Sequence, residues 1–235
     1  MKKISFWASA LFLSATILAS CSDAPKSEEA KVTDSVAVQE VAAAQDVAID
    51  VANSKITWIG TKPTGKHNGE LKLSTGSLKI ENGAIVGGSF DIDINSITVL
   101  DMPATDEGNA KLTGHLKSHD FFEVEKFPTA KFEITEVKAF DAAAAPADEN
   151  PNVDGSLKIA NPTHIISGNL TLKGVTKNVT FSAKVSTEGG ISAQANFNID
   201  RTQWGLSYNA EGSVPDKFIH NKMNIGLDIK ATPAN

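Results

Sequence analysis

Five histidines, one arginine and one cysteine are the residues of this 235-residue chain whose chemistry stands out. His115 and His119 lie four apart, a spacing that puts two imidazoles on one face of a helix and could chelate a metal ion. The HExxH pattern is absent, because Leu116 follows His115, and a third ligand such as His67 would have to arrive from elsewhere. Helix capping and surface hydrogen bonding therefore account better for the pair than a metal site. Arg201 is the sole Arg among 22 basic residues. Lys can supply mere charge, so a lone Arg suggests a task that needs the planar five-donor fork. That task is either a buried or half-buried pair with a carboxylate that fixes the strand end, or recognition of an anionic head group at a cavity mouth. No phosphate-cradling Gly loop, Ser-centred elbow or CxxC is present, and the acidic residues fall on polar strand faces and in loops. No catalytic residues and no cofactor are expected.

Cys21 is the only Cys, so no intramolecular disulfide can form. Lys2 and Lys3, an apolar run from Phe6 to Leu18, and Leu18-Ala19-Ser20 directly before Cys21 resemble the signal peptide and lipobox of bacterial lipoproteins. Residues 1–20 are accordingly expected to be removed, with Cys21 acylated as the first mature residue. The loss of Lys2 and Lys3 leaves 20 basic against 28 acidic residues, a net charge of −8 instead of −6. Such a balance argues against nucleic acid as a partner. Residues 21–47 are rich in Ala, Val, Glu, Asp and Ser and contain no aromatic residue, which predicts a flexible tether. At roughly 25 residues it could hold a domain tens of ångströms from a bilayer.

The remainder, residues 48–235, must position the histidines and Arg201. Most of it alternates with period two: Phe90, Ile92 and Ile94 against Asp91, Asp93 and Asn95 is the cleanest run, and Asn82-Gly83 is a hairpin turn signal. Leu157 and Ile159 read as a further short run, and Asp141 to Asp154 as a surface loop. About eight antiparallel strands result, compatible with a closed barrel or a sandwich. Ala183, Ala193, Ala195, Gly168 and Gly226 are small inward candidates that favour a barrel with room inside. One segment breaks the pattern. Lys111 to Phe132 contains Leu112 and Leu116 at helical spacing, predicting one short helix over about 109–119 that feeds Phe121 and Phe122 to one end as a plug or lid.

Residues Asp50 to Lys230 resemble the YceI-like family of polyisoprenoid-binding periplasmic proteins. The resemblance is carried by Gly114-His115-Leu116-Lys117-Ser118-His119-Asp120-Phe121-Phe122, Phe127-Pro128-Thr129-Ala130, Gly168 to Phe181, and Asp200-Arg201-Thr202-Gln203-Trp204-Gly205-Leu206. Asn178 departs from it, since many members have Pro there, and the loop around Asp141 to Asp154 is longer than usual. The resemblance implies an all-β, lipocalin-like barrel around an elongated apolar channel that holds a long isoprenoid or similar amphiphile, such as a polyprenyl phosphate or a quinone tail. It implies binding, as carrier or sequestering module in the cell envelope, and no enzyme activity. The lining expected from strand alternation is Phe90, Ile92, Phe181, Ala183, Ala195 and Phe197, with Phe121 and Phe122 at the end and Arg201 at the head group. The alternative is a structural or stress-related envelope protein with a self-filled core. Whether the chain forms a dimer, and which membrane holds the anchor, stay open.

Overall fold

The computed structural model describes residues 25–41, 43–146, 156–213 and 217–232. In chain order the strands are β1 (Glu28–Glu29), β2 (Lys31–Asp34), β3 (Gln45–Ala48), β4 (Lys55–Lys62), β5 (Gly65–Glu81) and β6 (Ala84–Val99). The helix α1 (Glu107–Lys117) follows, then β7 (Thr129–Ala139), β8 (His164–Leu172), β9 (Val175–Ser186), β10 (Ile191–Asp200), a 3-10 turn at Arg201–Trp204, and β11 (Lys222–Ala231). β4 to β11 pair antiparallel in the cyclic order β4-β5-β6-β7-β8-β9-β10-β11, and β11 pairs back onto β4. This is the closed eight-stranded barrel, one of the two arrangements that the alternation allowed and the one that the family resemblance implied.

Local chemistry sets the corners. Asn82 and Gly83 both adopt positive φ (52° and 78°), the type I′ geometry whose twist matches that of the β5–β6 hairpin. The stretch Thr61 to Gly69, though rich in turn-forming residues, is strand on both sides of a tight Pro63-Thr64 connection. β5 and β6 are long and shift register at three places, which lets β5 bend from β4 at one end to β3 at the other. The expected helix is present but begins and ends two residues earlier, at Glu107 and Lys117. Its start is fixed by Asp106, whose carboxylate accepts the Gly108 amide at 2.6 Å. Asn109 ties it to the end of β6 by donating to the carbonyls of Val99 and Met102.

The main departure lies in residues 21–47. Instead of an unpaired tether, Glu28–Glu29 pairs parallel with β10, Lys31–Asp34 pairs antiparallel with β9, and Gln45–Ala48 pairs with β5. The reason lies in the barrel wall. β9 and β10 pair directly only from Ala183 to Ser186 and from Ser192 to Ala195. Beyond that they separate, and two edges of unpaired N–H and C=O groups would face solvent. The segment from Ser27 to Asp34 fills the gap. Ser27 donates to the Asn196 carbonyl (3.1 Å), the Glu28 carboxylate accepts the buried Ser182 amide (2.7 Å), and the Asn169 side chain exchanges two hydrogen bonds with Val36. Asn178, the departure noted in the sequence, donates to Asn169 (3.1 Å) and Thr135 (3.0 Å) in the same outer network. Proline has no side-chain donor to offer there. Leu157, expected in a strand, lies in irregular chain whose amide donates to the Lys26 carbonyl. Cys21 and residues 147–155 lie outside the described residues.

Candidate ligand-binding cavity

The barrel interior holds a cavity of about 420 Å³. Its walls come from the inward faces of all eight barrel strands, β4 to β11, and one end is formed by α1 with the turn after it and by the loop between the 3-10 turn and β11. Phe90, Ile92, Phe121, Phe122, Phe181 and Phe197 all line it, as strand alternation and the plug idea required. Each of the six is at most 7% exposed. Phe122 is held by its amide on the Leu116 carbonyl and Phe121 by its amide on the Ser118 carbonyl, both at 3.1 Å, so the chain folds back under α1 and delivers both rings inward.

Ala183 and Ala195 do not line this cavity. They face the interior and are 1% and 3% exposed, but they sit around a second void of about 30 Å³ towards the β9–β10 hairpin. Alternation gives the face on which a residue lies, and not its height along the barrel. Gly168 is inward as expected, yet the space above it is occupied by the Phe132 ring, which a Cβ there would overlap. Gly226 faces outward, against Thr57 and Asn196.

Arg201 lines the cavity, and its hydrogen bonds go to main-chain carbonyls and not to a carboxylate. It is 4% exposed, and its Nε donates to the His220 carbonyl (3.1 Å), its Nη1 to the Leu206 carbonyl, and its Nη2 to the carbonyls of Tyr208 (3.1 Å) and Ile219 (2.9 Å). Four of its five N–H donors thus hold both limbs of the loop from Gly205 to Asn221 against the barrel. Burial pushes its pKa down, against the pull of Asp200 and Glu211 upward. The fork is used for backbone carbonyls, an arrangement that depends on the path of the loop and so is invisible in the sequence.

The polar end of the cavity is distinctive in sign. Lys62 and Lys217 join Arg201 in its lining together with His67, His115 and His220, whereas no Asp or Glu lines it among the described residues. Each of the three histidines is held from behind by a carboxylate: His67 Nδ1 by Asp101 (2.8 Å), His115 Nε2 by Asp120 (3.1 Å) and His220 Nδ1 by Glu211 (2.5 Å). The Asp101 carboxyl is pushed up by burial, but the Asn68 amide and His67 hold it below the usual range on balance. The Thr61 hydroxyl and the Trp58 indole N–H, both in the lining, are buried without a hydrogen-bond partner among the described residues. Unpaired buried donors are costly, and a ligand's polar atoms or water would satisfy them.

His115 and His119 do meet, on the two oxygens of Asp120 (3.1 and 3.2 Å). No group of three or more His, Cys, Asp or Glu among the described residues is arranged to hold a metal ion. His115 instead packs edge-on against Phe121 (5.1 Å) and Tyr208 (4.7 Å), which joins the α1 turn to the Arg201-pinned loop. This three-ring contact closes the cavity end, and only the Phe121 part of it was legible in the sequence. No helix among the described residues is long and apolar enough to cross a membrane.

The model of the YceI-like domain matches residues 48–231, the whole span from the end of β3 to β11. The chain belongs to the YceI-like domain family. Among curated relatives, a UPF0312 protein of Photorhabdus laumondii is 28% identical over 148 residues, covering 59% of this chain and 61% of that protein. A UPF0312 protein of Pseudomonas aeruginosa is 41% identical over 86 residues, covering 37% and 35%. The chain therefore spans less than two thirds of the length of either relative. Two solved structures share the fold. Burkholderia cenocepacia BcnA superposes with a TM-score of 0.54 at 20% identity, over 78% of this chain and 99% of that one. A polyisoprenoid-binding domain from Saccharophagus degradans, implicated in plant cell wall breakdown, gives 0.52 at 17% identity, over 80% and 98%.

Proposed function

We propose that this YceI-like protein binds one amphiphile at a time, with an isoprenoid-type tail in the barrel and a polar head at the end lined by Lys62, Lys217 and His67. The observation that carries the reading is the apolar cavity of about 420 Å³ whose polar end is lined, among the described residues, by Lys, Arg and His and by no Asp or Glu. Its size is that of a site for one small ligand, and apolar walls with a few convergent polar groups are the usual form of such sites. The polyisoprenoid-binding domain of Saccharophagus degradans, which shares the fold, supports the same class of ligand. An empty, self-filled barrel is less well supported, because the cavity and the unpaired Trp58 and Thr61 donors both call for an occupant.

A tail leaving a bilayer for this cavity exchanges one apolar environment for another. Tail burial then contributes little net free energy, and selectivity must come from shape and from the head. This suits a carrier or sequestering module of the cell envelope. Within this reading the protein is held at the membrane by acylated Cys21, since stable anchoring takes more than one chain. Cys21→Ser should move the protein from the membrane pellet to the soluble fraction; unchanged pelleting after processing would exclude the anchor. The binding reading is tested by titrating the protein with farnesyl monophosphate and following Trp58 fluorescence. A saturable change that Ile92→Trp abolishes is expected, and no saturable binding would exclude the reading.

A further inference from the structure

The residues that fill the gap between β9 and β10 also fix where the chain leaves the barrel towards its N-terminus. The Asn198 side chain donates to the Pro25 carbonyl (2.8 Å), and Ser27 donates to the Asn196 carbonyl (3.1 Å). The Lys26 carbonyl accepts the Leu157 amide (2.9 Å) and the Ser156 hydroxyl (3.3 Å). Ala30 and Val32 then pack on the core, and Val36 is held by Asn169 of β8. Residues 25–36 are thus a strap bonded to β8, β9 and β10, and a part of the wall.

Pro25 is only four residues from Cys21. A fully extended chain spans at most about 3.6 Å per residue, so the two are at most about 14 Å apart. A domain of this size has a radius of gyration of about 16 Å and is about 40 Å across. An anchor on Cys21 is therefore too short to let the barrel turn and present its opposite side to a membrane. The side that carries the strap faces the bilayer.

Exposed apolar side chains gather on that same side. The exposed large hydrophobic residues among the described residues are Val36, Val38, Leu100, Phe140 and Leu157. Val36 ends the strap and Val38 follows it, Leu157 is bonded to the strap, and Phe140 shares a surface hollow with Glu28 and Ser182. Leu100 lies elsewhere, beyond the end of β6. The acids of the strap that reach solvent are neutralised, Glu29 by Lys222 (3.1 Å) and Asp34 by Lys177 (2.9 Å), whereas Lys26 and Lys31 are exposed. Apolar and cationic side chains together suit the headgroup boundary of a bilayer.

We propose that the barrel lies side-on against the bilayer, with the β9–β10 seam, its strap and the side chains of Val36, Phe140 and Leu157 turned to the lipid headgroups. The proposal rests on the acylated Cys21 of the reading above and adds an orientation to it. It does not depend on what the cavity holds.

Cys21 is the sole Cys and acylation consumes its thiol, so one added cysteine carries one label. The test uses the full chain, processed in a bacterial envelope and labelled with a nitrobenzoxadiazole fluorophore at Val36→Cys, Leu157→Cys or Ser74→Cys. Ser74 is exposed on β5, across the barrel from the seam. Each protein is reconstituted into vesicles of phosphatidylethanolamine and phosphatidylglycerol that contain a lipid with a nitroxide headgroup. Flotation with the vesicles reads the anchor, and quenching by the nitroxide reads the orientation. The labelled proteins should float, with quenching at Val36 and Leu157 at least threefold stronger than at Ser74. Floating proteins with equal quenching at the three positions, or with stronger quenching at Ser74, would overturn the side-on orientation and leave the anchor standing. Proteins that do not float would overturn both.

Discussion

Replacing Arg201 by Met tests how the polar end of the cavity is built. The substitution keeps much of the apolar stem and removes the donors that hold the carbonyls of Leu206, Tyr208, Ile219 and His220. A hydrogen bond to a charged group contributes about 1.5–3 kcal/mol net, so four amount to about 6–12 kcal/mol before any offset. Against this stands the cost of keeping a guanidinium out of water, several kcal/mol, whose sign is visible in the lowered pKa of Arg201. The net loss is therefore placed at about 3–5 kcal/mol, the range found when one partner of a buried charged contact is removed. At about 2–4 °C per kcal/mol for a domain of this size, the melting temperature should fall by about 6–20 °C. Arg201→Lys should lie between the two proteins, because an ammonium has three donors and no planar fork. Circular dichroism melts of the three proteins, with ligand off-rates measured well below the transitions, are the assay. Ligand release should quicken in both variants, since the freed loop lines the cavity. An Arg201→Met protein that melts within about 2 °C of wild type would refute the reasoning, as it would mean the loop holds its path without the arginine.

Phe121→Ala and Phe122→Ala each remove a buried ring and should destabilise by about 3–5 kcal/mol or less, since part of the space opens onto an existing cavity. Phe121→Ala alone also breaks the contact with His115 and Tyr208, so it should speed ligand release more than Phe122→Ala; equal off-rates would dismiss a gating part for Phe121. Glu28→Ala leaves the buried Ser182 amide unpaired in the seam between β9 and β10 and should cost about 1–3 kcal/mol, read as a lower denaturation midpoint. A midpoint equal to wild type would mean that the segment from Ser27 to Asp34 does not brace the barrel. Asp101, whose pKa is held below the unfolded value of about 3.9, contributes stability that is fully present above that pH and lost as pH falls through the lowered value. Asp101→Asn should accordingly lower stability at neutral pH and flatten its dependence below about pH 4, and an unchanged acid limb would contradict the assignment.

The barrel was legible because alternation is a local signal: Phe90, Ile92, Phe181 and Phe197 each declare their face within a few residues, and Asn82-Gly83 declares its turn. The strand pairing of Glu28–Glu29 and Lys31–Asp34 was not, because it depends on edges that β9 and β10 expose only after they diverge, more than a hundred residues away in the chain. No hydrophobic pattern marks backbone hydrogen bonds of that kind. Ala183 and Ala195 illustrate a second limit: their inward direction followed from periodicity, but their place around the smaller void depends on stagger between strands. Arg201 illustrates a third. Its singularity was plain in the sequence, while its partners are main-chain carbonyls that carry no residue signature. Of the cavity's polar end only Arg201 was expected there; His67 and His115 had stood out for another reason, as possible metal ligands, and they, Lys62, Lys217 and His220 joined it only through the fold.

The central claim is that the barrel holds an amphiphile with an isoprenoid-type tail. It is tested most directly by expressing the full chain in a bacterial envelope, releasing the protein from washed membranes with a styrene–maleic acid polymer, separating it by affinity capture, and identifying the molecules bound to it by mass spectrometry after denaturation. Ile92→Trp, which fills the main cavity, is the matched control. The account predicts an isoprenoid-tailed species at about one per protein in the wild type and its absence from Ile92→Trp. The same lipid profile in both proteins, or no isoprenoid species in the wild type, would contradict it.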